Sequence, residues 1–281
     1  MNIEPIRAFE DNYIWALRHE GQVAVVDPGE AAPVARFLEA TGDRLCAILV
    51  THRHGDHIGG IAELVARTAV PVFGPAKEAA EVVTHPLRDG ETVRIPALGE
   101  EFVVFEVPGH TLGHVAFYSA GMPRNTPDRP QVFFGPLGEE RRETVFAGGV
   151  LFCGDTLFGA GCGRVFEGTM TQMHASLAKI AALPADTLVY CAHEYTQSCL
   201  RFAERVEPDN VAITARTAKV AKLRSADTPS VPSTLAEELA TNPFLRWQSP
   251  AVIAAATTRL GHPPGSDAET FAAIRRWRDS L

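Results

Sequence analysis

The chain has 281 residues, a length that allows one large domain or two smaller ones with a sizeable core. Apolar residues make up 46% and charged residues 21%, and the net charge of −8 argues against a nucleic-acid-binding protein, whose surface is basic. The N-terminal residues lack the basic segment and apolar run of a signal peptide, and no apolar stretch has membrane-spanning length. The five cysteines form no CxxC pair and favour reduced thiols, so we expect a soluble cytoplasmic protein.

Short apolar or alternating segments in the first half of the chain predict strands, with two helices between them. The strands are expected at Ile3–Arg7, Tyr13–Arg18, Gln22–Val26, Ala47–Val50, Val70–Phe73, Thr92–Ile95 and Phe102–Val107. The helices are expected at Ala31–Ala40 and Ile61–Arg67. This mixture of elements indicates an α/β fold.

The segment after the Ala47–Val50 strand carries three histidines and an aspartate within six residues, namely His52, His54, Asp56 and His57. Such polar groups are costly to bury without partners, and a metal ion supplies one, because imidazole nitrogen and carboxylate oxygen are ordinary zinc ligands. His52 and His54 face the same way in an extended loop, whereas Asp56 and His57 point differently. The spacing therefore suits two ions, one per pair, and the alternative is a solvated histidine-rich loop.

Three further candidate ligands follow other predicted strands. His110 lies in PGHTLGH, Asp155 follows the strand Val150–Cys153, and His193 follows the strand Thr187–Cys191. Asp155 is the natural bridge between two ions, since each carboxylate oxygen can bind one. Ligands of open α/β sheets bind at the carboxyl ends of the strands, so we expect these residues to meet the first group there.

Other polar residues near these segments are assigned supporting roles or none. Asp27 ends the third strand, either as a turn residue or as the acceptor that orients a ligand histidine. His114 is predicted inside the strand after PGHTLG, packed behind the ligands rather than binding a metal. His174 on the predicted helix Thr169–Leu183 is interpreted as solvated.

Two regions depart from the alternating pattern. Ser119–Gly148 contains several prolines and a charged run, and it is predicted as a surface insertion with a hairpin at Gln131–Phe134. No strand-like segment follows His193. The helices expected there are Thr196–Val206, Val211–Arg224, Leu235–Ala240 and Ala268–Asp279. We therefore predict a catalytic domain of residues 1–193 and a helical domain of residues 194–281.

The motifs THRHGDH, PGHTLGH, GDTLF and CAHEYT, in this order, resemble the metallo-β-lactamase superfamily. More narrowly, GDTLFGAGCGR, HEYTQSCLRFA and VPSTLAEELATNPFLR are similar to glyoxalase II, the hydroxyacylglutathione hydrolases. The likeness covers nearly the whole chain except Ser119–Gly148. It implies an αββα sandwich of two mixed sheets with a dinuclear site at one edge, followed by a smaller all-α substrate-binding domain.

The resemblance also implies roles for the candidate residues. One ion would be bound by His52, His54 and His110, the other by Asp56, His57 and His193, with Asp155 and a hydroxide bridging them. Zinc is expected, with iron or manganese as alternatives, because these donors accept all three metals. The hydroxide would attack the thioester carbonyl of S-D-lactoylglutathione, a step of methylglyoxal detoxification, to give glutathione and D-lactate. Asp56 is the candidate to take the remaining proton.

By position in the family, Arg164, Tyr195 and Arg246 would contact glutathione, and both arginines could meet its carboxylates. Phe166 stands where the family often has tyrosine, so a hydroxyl contact would be missing. We expect a monomer without nucleic-acid or membrane partners. The alternatives are a lactonase of the same superfamily, a zinc-dependent nuclease, which the acidic charge disfavours, and a metal-binding regulatory protein that has kept the site.

Overall fold

The computed structural model describes residues 1–79, 81–121, 131–134, 140–143 and 149–281. The strands are β1 (Asn2–Ala8), β2 (Asn12–His19), β3 (Gln22–Val26), β4 (Arg44–Leu49), β5 (Val72–Pro75), β6 (His85–Leu87), β7 (Thr92–Ile95), β8 (Glu100–Glu106), β9 (Val115–Ser119), β10 (Gln131–Phe134), β11 (Glu140–Glu143), β12 (Val150–Gly154), β13 (Leu157–Phe158), β14 (Gly161–Cys162), β15 (Leu188–Cys191) and β16 (Ser233–Thr234). The helices are α1 (Ala31–Thr41), α2 (Gly55–Ile58), α3 (Ile61–Arg67), α4 (Met170–Ala181), α5 (Thr196–Val206), α6 (Val211–Ser225), α7 (Leu235–Thr241), α8 (Pro250–Leu260) and α9 (Asp267–Asp279).

Two six-stranded mixed sheets form the centre of the fold, with strand orders β1-β2-β3-β4-β5-β6 and β16-β15-β12-β9-β8-β7. In the first sheet, β1 to β3 pair antiparallel and β3 to β6 pair parallel. In the second, β12 and β15 are parallel and the other pairs are antiparallel. The carboxyl ends of β3 and β4, and likewise of β12 and β15, therefore lie side by side.

Alternation along the strands of the first sheet divides its side chains between two cores. Trp15 and Leu49 belong to one buried cluster with Phe117 and Leu151 of the second sheet. The residues that alternate with Trp15 and Leu49 along the same strands point to the other face of the sheet. They form a second buried cluster beneath α1 and α3, which contribute side chains such as Val34. The two sheets thus face each other and helices cover the outside, so the predicted αββα sandwich is confirmed.

Local sequence signals explain where several helices begin and end. Thr169 and Gln172 form a capping box at the start of α4, with each side chain bonded to the other's backbone. α1 ends at Gly42, whose φ of 71° lies in the left-handed region that glycine adopts without strain. Such capping signals involve residues that are close together along the chain. Each predicted helix accordingly agrees with an observed helix to within two residues at either end.

The prediction that only helices follow residue 193 is wrong at one place. Ser233–Thr234 forms β16, which pairs antiparallel with β15 at the edge of the second sheet. A two-residue strand is too short to show periodicity, so no local pattern predicts it. Helices α2 and α8, the short strand β6 and the hairpin β13–β14 were also missed. Except for α8, these elements have four residues or fewer in each helix or strand and are too short to show periodicity.

The helical region shares a core with the second sheet. Phe244 and Phe271 belong to the same buried cluster as Leu177 of α4 and Phe152 of β12, and α9 packs on α4. The domain boundary at residues 193 and 194 stays a prediction. No helix in the described ranges is both long and apolar enough to cross a membrane. All five cysteines are free thiols.

Much of the predicted insertion Ser119–Gly148 lies outside the described residues. The prediction that it lies on the surface concerns those residues and stays a prediction. Within it, β10 pairs antiparallel with β11, so an antiparallel strand pair is present as predicted, but Gln131–Phe134 forms only one of its two strands. Ser119 itself ends β9 and pairs with Val150 of β12. The segment therefore connects two strands that are neighbours in the second sheet.

Candidate metal centre

The loop after β4 is fixed to the neighbouring strand before its first histidine. The backbone N–H of Thr51 donates to Asp27 Oδ1 at 2.7 Å, and its hydroxyl donates to Asp27 Oδ2 at 2.6 Å. Asp27 follows β3, the parallel neighbour of β4, and has a φ of 54°. These bonds set the direction in which the chain leaves the sheet at His52.

The structure brings the seven predicted metal ligands into one cluster, in which donor atoms of each three-residue group lie within 4.8 Å of one another. The residues are His52, His54, Asp56 and His57 after β4, His110 before β9, Asp155 after β12 and His193 after β15. All of them except His54 and Asp56 are buried. Both sheets therefore contribute donors, and the cluster lies at the edge where β4, β12 and β15 end.

Three histidines form the first donor group. His54 Nδ1 lies 3.0 Å from His52 Nε2 and 3.1 Å from His110 Nε2. The rings meet edge to face rather than stacking. Their nitrogen atoms thus converge on one point.

The second group contains Asp56, His57 and His193. Asp56 Oδ2 lies 3.4 Å from His57 Nε2 and 3.5 Å from His193 Nε2. Asp155 stands between the groups: its Oδ1 is 3.4 Å from His57 Nε2 and 3.3 Å from His193 Nε2. Its other oxygen, Oδ2, is 3.4 Å from Nε2 of His110 in the first group. One carboxylate therefore faces both groups, one oxygen to each.

The distances between donors fit a metal ion. Four donors placed tetrahedrally at about 2.0–2.1 Å from zinc lie about 3.3 Å from one another, and the separations of 3.0–3.5 Å agree with that value. Moreover, His57 Nε2 and Asp155 Oδ1 are buried without a hydrogen-bond partner in the part of the chain that the structure describes. Buried polar atoms need such a partner, and a cation supplies it.

Two of the donors, His52 and Asp155, have the charge state that binds metals. Burial holds the pKa of the His52 imidazole well below its usual value. For Asp155, burial alone would raise the pKa, but the adjacent His57 and His193 hold the pKa of this carboxyl well below its usual range. A neutral imidazole and an ionised carboxylate each offer a lone pair to a cation. At His57 and His193 burial alone would lower the imidazole pKa, but Asp155 beside both rings raises it above the usual value, so a cation that binds there displaces a proton from each ring.

Hydrogen bonds from behind orient the rings. His57 Nδ1 donates to Asp27 Oδ2 at 3.0 Å, and His110 Nδ1 donates to the carbonyl oxygen of Arg164 at 2.8 Å. His193 Nδ1 donates to Asp11 Oδ1 at 2.9 Å. Because these acceptors fix the proton on Nδ1, the lone pair of Nε2 points into the cluster.

Asp11 and its neighbour Asn12 were missed by sequence reasoning. Asn12 donates through Nδ2 to Asp56 Oδ2 at 3.0 Å. Asp11 lies in the tight connection between β1 and β2 and Asn12 begins β2, and at such a position Asp and Asn are ordinary turn residues. The chain around His193 returns to this turn, and Glu194 donates its backbone N–H to the carbonyl oxygen of Asp11 at 2.9 Å. A signal for such a long-range contact is absent from the local sequence.

His114 precedes β9 instead of lying within it, so that detail of the prediction is corrected. Its ring is fully buried and stacks on His52 with 4.6 Å between ring centres. Nε2 accepts from the backbone N–H of Asp155 at 3.1 Å, and burial lowers the pKa of His114 to about 3. The side chain therefore lies behind the cluster, against two of its members.

Three of the residues predicted to contact the substrate lie beside the cluster. Tyr195 stacks on His193 with 4.7 Å between ring centres. The ring of Phe166 is 60% exposed and lies 5.2 Å from the ring of His110. Arg164, whose carbonyl holds His110, has a half-exposed guanidinium that pairs with Asp279 at 3.2 Å. Phe166, with the Arg164 guanidinium 5.9 Å from its ring centre, thus borders the first donor group, and Tyr195 borders the second.

Arg246, the second arginine predicted to contact the substrate, is paired within the helical region. Its Nε and Nη2 bind the two carboxylate oxygens of buried Glu207 at 2.7 and 3.0 Å, and Nη1 donates to the carbonyl oxygen of Leu239 at 3.0 Å. None of its contacts with described residues reaches the cluster. The sequence motif located this arginine correctly in the helical region but could not reveal that Glu207 already neutralises it.

The interpretation of His174 as solvated is also wrong. Its ring packs edge to face on Trp247, with 4.4 Å between ring centres, and lies near Phe271. Its Nε2 is buried without a hydrogen-bond partner among the described residues. Helix α9 and the segment before α8 cover this face of α4, which the sequence did not indicate.

Comparison with known proteins agrees with this arrangement. The family model "Hydroxyacylglutathione hydrolase C-terminus" matches residues 194–281, and the model "Metallo-beta-lactamase superfamily" matches residues 8–134. The hydroxyacylglutathione hydrolase of Dechloromonas aromatica is 50% identical, and the alignment covers all of both chains. The chain belongs to the hydroxyacylglutathione hydrolase family. Further members are the enzymes of Cupriavidus taiwanensis, 49% identical over all of this chain and 99% of the relative, and of Pseudomonas aeruginosa, 48% identical over all of both chains.

Solved structures show the same fold at lower identity. ETHE1 from Myxococcus xanthus has a TM-score of 0.63 and 21% identity, covering 98% of this chain and 90% of that chain. The BLEG-1 B3 metallo-β-lactamase has a TM-score of 0.57 and 22% identity, covering 87% and 98%. The resemblance predicted from the motifs is thus confirmed. This member of the hydroxyacylglutathione hydrolase family is an enzyme whose His and Asp cluster is a divalent-metal site.

Proposed function

We propose that the enzyme hydrolyses S-(2-hydroxyacyl)glutathione thioesters, with S-D-lactoylglutathione as the reference substrate, to glutathione and a 2-hydroxy acid such as D-lactate. The observation that carries this proposal is the pair of three-donor groups joined by one carboxylate, in a chain that aligns end to end with hydroxyacylglutathione hydrolases. We assign the reaction to methylglyoxal detoxification in the cytoplasm, carried out by a monomer.

The centre is proposed to bind two divalent ions, with zinc expected and iron or manganese as alternatives. His52, His54 and His110 would hold one ion, and Asp56, His57 and His193 the other. Asp155 would contribute Oδ2 to the first and Oδ1 to the second, as its distances to the two groups support. Asp27 and His114, together with Asp11, keep these ligands oriented.

Paired divalent ions supply a water of lowered pKa and polarise the carbonyl that it attacks. Proton transfer is assigned to residues of the chain. Asp56 has a side chain that is 39% exposed, and Asn12 holds its Oδ2, so this carboxylate is the candidate proton acceptor at the solvent side of the cluster. The leaving group is a thiolate, a weak base, and we therefore assign no dedicated general acid.

Glutathione is proposed to bind along the border formed by Arg164, Phe166 and Tyr195. The half-exposed guanidinium of Arg164 is available to a substrate carboxylate, and the hydroxyl of Tyr195 can donate a hydrogen bond. Phe166 offers only the face and edge of a ring. Arg246 is left out of this set because Glu207 neutralises it. Residues 1–193 would then carry the metals, with residues 194–281 completing the substrate site.

The test is a hydrolysis assay with S-D-lactoylglutathione, combined with metal analysis of the same sample. We expect hydrolysis that disappears when the ions are removed with a chelator and returns on adding zinc. Simple lactones serve as the comparison substrate. Faster turnover of lactones than of the thioester would contradict the proposed substrate.

A further inference from the structure

The short hairpin β13–β14 connects two parts of the metal centre. Asp155 lies just before it, and Arg164, whose carbonyl oxygen accepts from His110 Nδ1, lies just after it. The two ends are in close contact: a Cβ on Gly163 would come within 1.9 Å of the carbonyl oxygen of Asp155. Any displacement of the hairpin would therefore move both Asp155 and the acceptor that orients His110.

Two fully buried side chains of the helical region hold the tip of this hairpin. Glu238 Oε2 accepts from the backbone N–H of Ala160 at 2.8 Å. Asn242 Nδ2 donates to the carbonyl oxygens of Gly161 and Phe158 at 2.9 and 3.3 Å. The φ of Ala160 is 56°, a left-handed conformation that a residue with a Cβ keeps only when its surroundings hold it. Glu238 and Asn242 supply the side-chain hydrogen bonds at the tip. Side chains of α5 also pack there, against the glycines on either side of Ala160: Thr196 against Gly159 and Cys199 against Gly161.

Glu238 is itself fixed by the helices and the second sheet. Its Oε1 accepts from Arg216 Nη2 and, at 2.6 Å, from the hydroxyl of Ser233 in β16. Asn242 Nδ2 also donates to its Oε2 at 3.0 Å. A buried ion pair is weak evidence for stability, since apolar residues of similar volume can pack as well. What apolar residues cannot do is bind the backbone at the tip of the hairpin.

We propose that Glu238 and Asn242 are positioning residues of the metal centre, which hold the hairpin so that Asp155 and the Arg164 carbonyl keep their places. Metal affinity thereby depends on helix α7, although this helix supplies no candidate ligand. The proposal rests on the proposed function only in taking Asp155 and His110 as ligands; it does not depend on the substrate.

The experiment compares metal retention in three variants of the holoenzyme. Glu238→Gln and Asn242→Ala weaken the hold on the hairpin. Glu207→Gln is the matched control, because Glu207 is also buried, also binds an arginine, Arg246, and has no contact with the hairpin among the described residues. Each zinc-loaded protein is equilibrated with increasing concentrations of a chelator, the zinc that remains bound is measured, and Tm is recorded alongside.

For Glu238→Gln and Asn242→Ala we expect half of the zinc to be lost at a chelator concentration about tenfold lower than in the unmodified protein, the size of effect seen for residues behind metal ligands. Glu207→Gln should lower Tm and keep its zinc within twofold of the unmodified protein. If Glu238→Gln does not fold, Asn242→Ala, which leaves no charge unpaired, decides the question.

Unchanged zinc retention in Asn242→Ala and in folded Glu238→Gln would overturn the proposal. An equal loss of zinc in the Glu207→Gln control would also overturn it, because general destabilisation would then be the cause. Since the measurement involves no thioester, it is independent of the substrate: inactivity of the unmodified enzyme toward S-D-lactoylglutathione would contradict the proposed function instead.

Discussion

The metal centre and the helical C-terminal region both bury charged side chains, but they satisfy them in opposite ways. At the centre, His57 Nε2 and Asp155 Oδ1 face other donors and have no hydrogen-bond partner among the described residues. In the helical region, buried Glu207 and Glu238 each bind an arginine of the chain. The comparison teaches that buried atoms without a partner mark a ligand site where several donors face one another, whereas a neutralised pair marks an internal contact. Further buried atoms of the described residues also lack a partner but belong to no such donor group, such as His174 Nε2 and Arg216 Nε.

Removing the carboxylate that faces both donor groups should have the largest effect. Asp155→Ala deletes the carboxylate whose two oxygens face the two groups, so we expect loss of most of the bound metal and a decrease in kcat of about a hundredfold or more. His114→Ala removes a side chain that contacts the centre from behind, and it should lose less metal. Elemental analysis of the two purified variants checks this order. Greater metal loss in His114→Ala would contradict the bridging position of Asp155.

Removing an acceptor behind a ligand should weaken the centre by a smaller amount. Asp27→Ala deprives His57 Nδ1 of its acceptor, and we expect metal affinity to fall about 10–100-fold. Asp227→Ala is the control, because Asp227 is exposed and pairs with Arg7 on the surface. Competition with a chelator measures both affinities. Equal affinities in the two variants would mean that Asp27 is only a turn residue.

The two arginines predicted from sequence should respond differently. Arg164→Ala removes an accessible cation beside the centre, so KM for S-D-lactoylglutathione should rise about tenfold or more, with a smaller change in kcat. Arg246→Ala instead leaves Glu207 buried and unpaired, which should lower Tm while KM stays within twofold. Steady-state kinetics and thermal unfolding separate the two effects. A raised KM in Arg246→Ala alone would reverse this assignment.

Shortening the segment between β9 and β12 should have the smallest effect. Ser119 and Val150 are paired neighbours in the second sheet, so a short turn can replace residues 121–148. We expect metal content and kcat to stay within twofold of the full chain. Metal analysis and the thioester assay check this expectation, and loss of the metals on shortening would show that the segment belongs to the centre.

The sequence predicted the members of the donor cluster better than the residues that support them. His52, His54, Asp56 and His57 lie within six residues at the end of a buried strand, so local spacing was sufficient. Asp11 reaches His193 across 182 residues of chain, and no local pattern records such a contact. The same limit applies to the fold, where the long strands and helices were predicted from periodicity but β16 was not.

The arginines show a second limit of sequence reasoning. The motif that contains Arg246 identified the family correctly, yet whether a guanidinium is free depends on its partners in space. Glu207 lies 39 residues away along the chain and accepts hydrogen bonds from Nε and Nη2 of this guanidinium. The packing of the His174 ring against Trp247 was not predicted for the same reason: the spacing of residues along one helix does not show which distant segment packs on it.

The central claim, two ions held by two donor groups that share Asp155, is tested most directly by metal stoichiometry. The enzyme is purified without chelator, reconstituted with zinc, and analysed for zinc per chain. Two equivalents that support hydrolysis of S-D-lactoylglutathione are the predicted result. A stoichiometry that stays at one equivalent after reconstitution with zinc, and likewise with iron, would contradict the account.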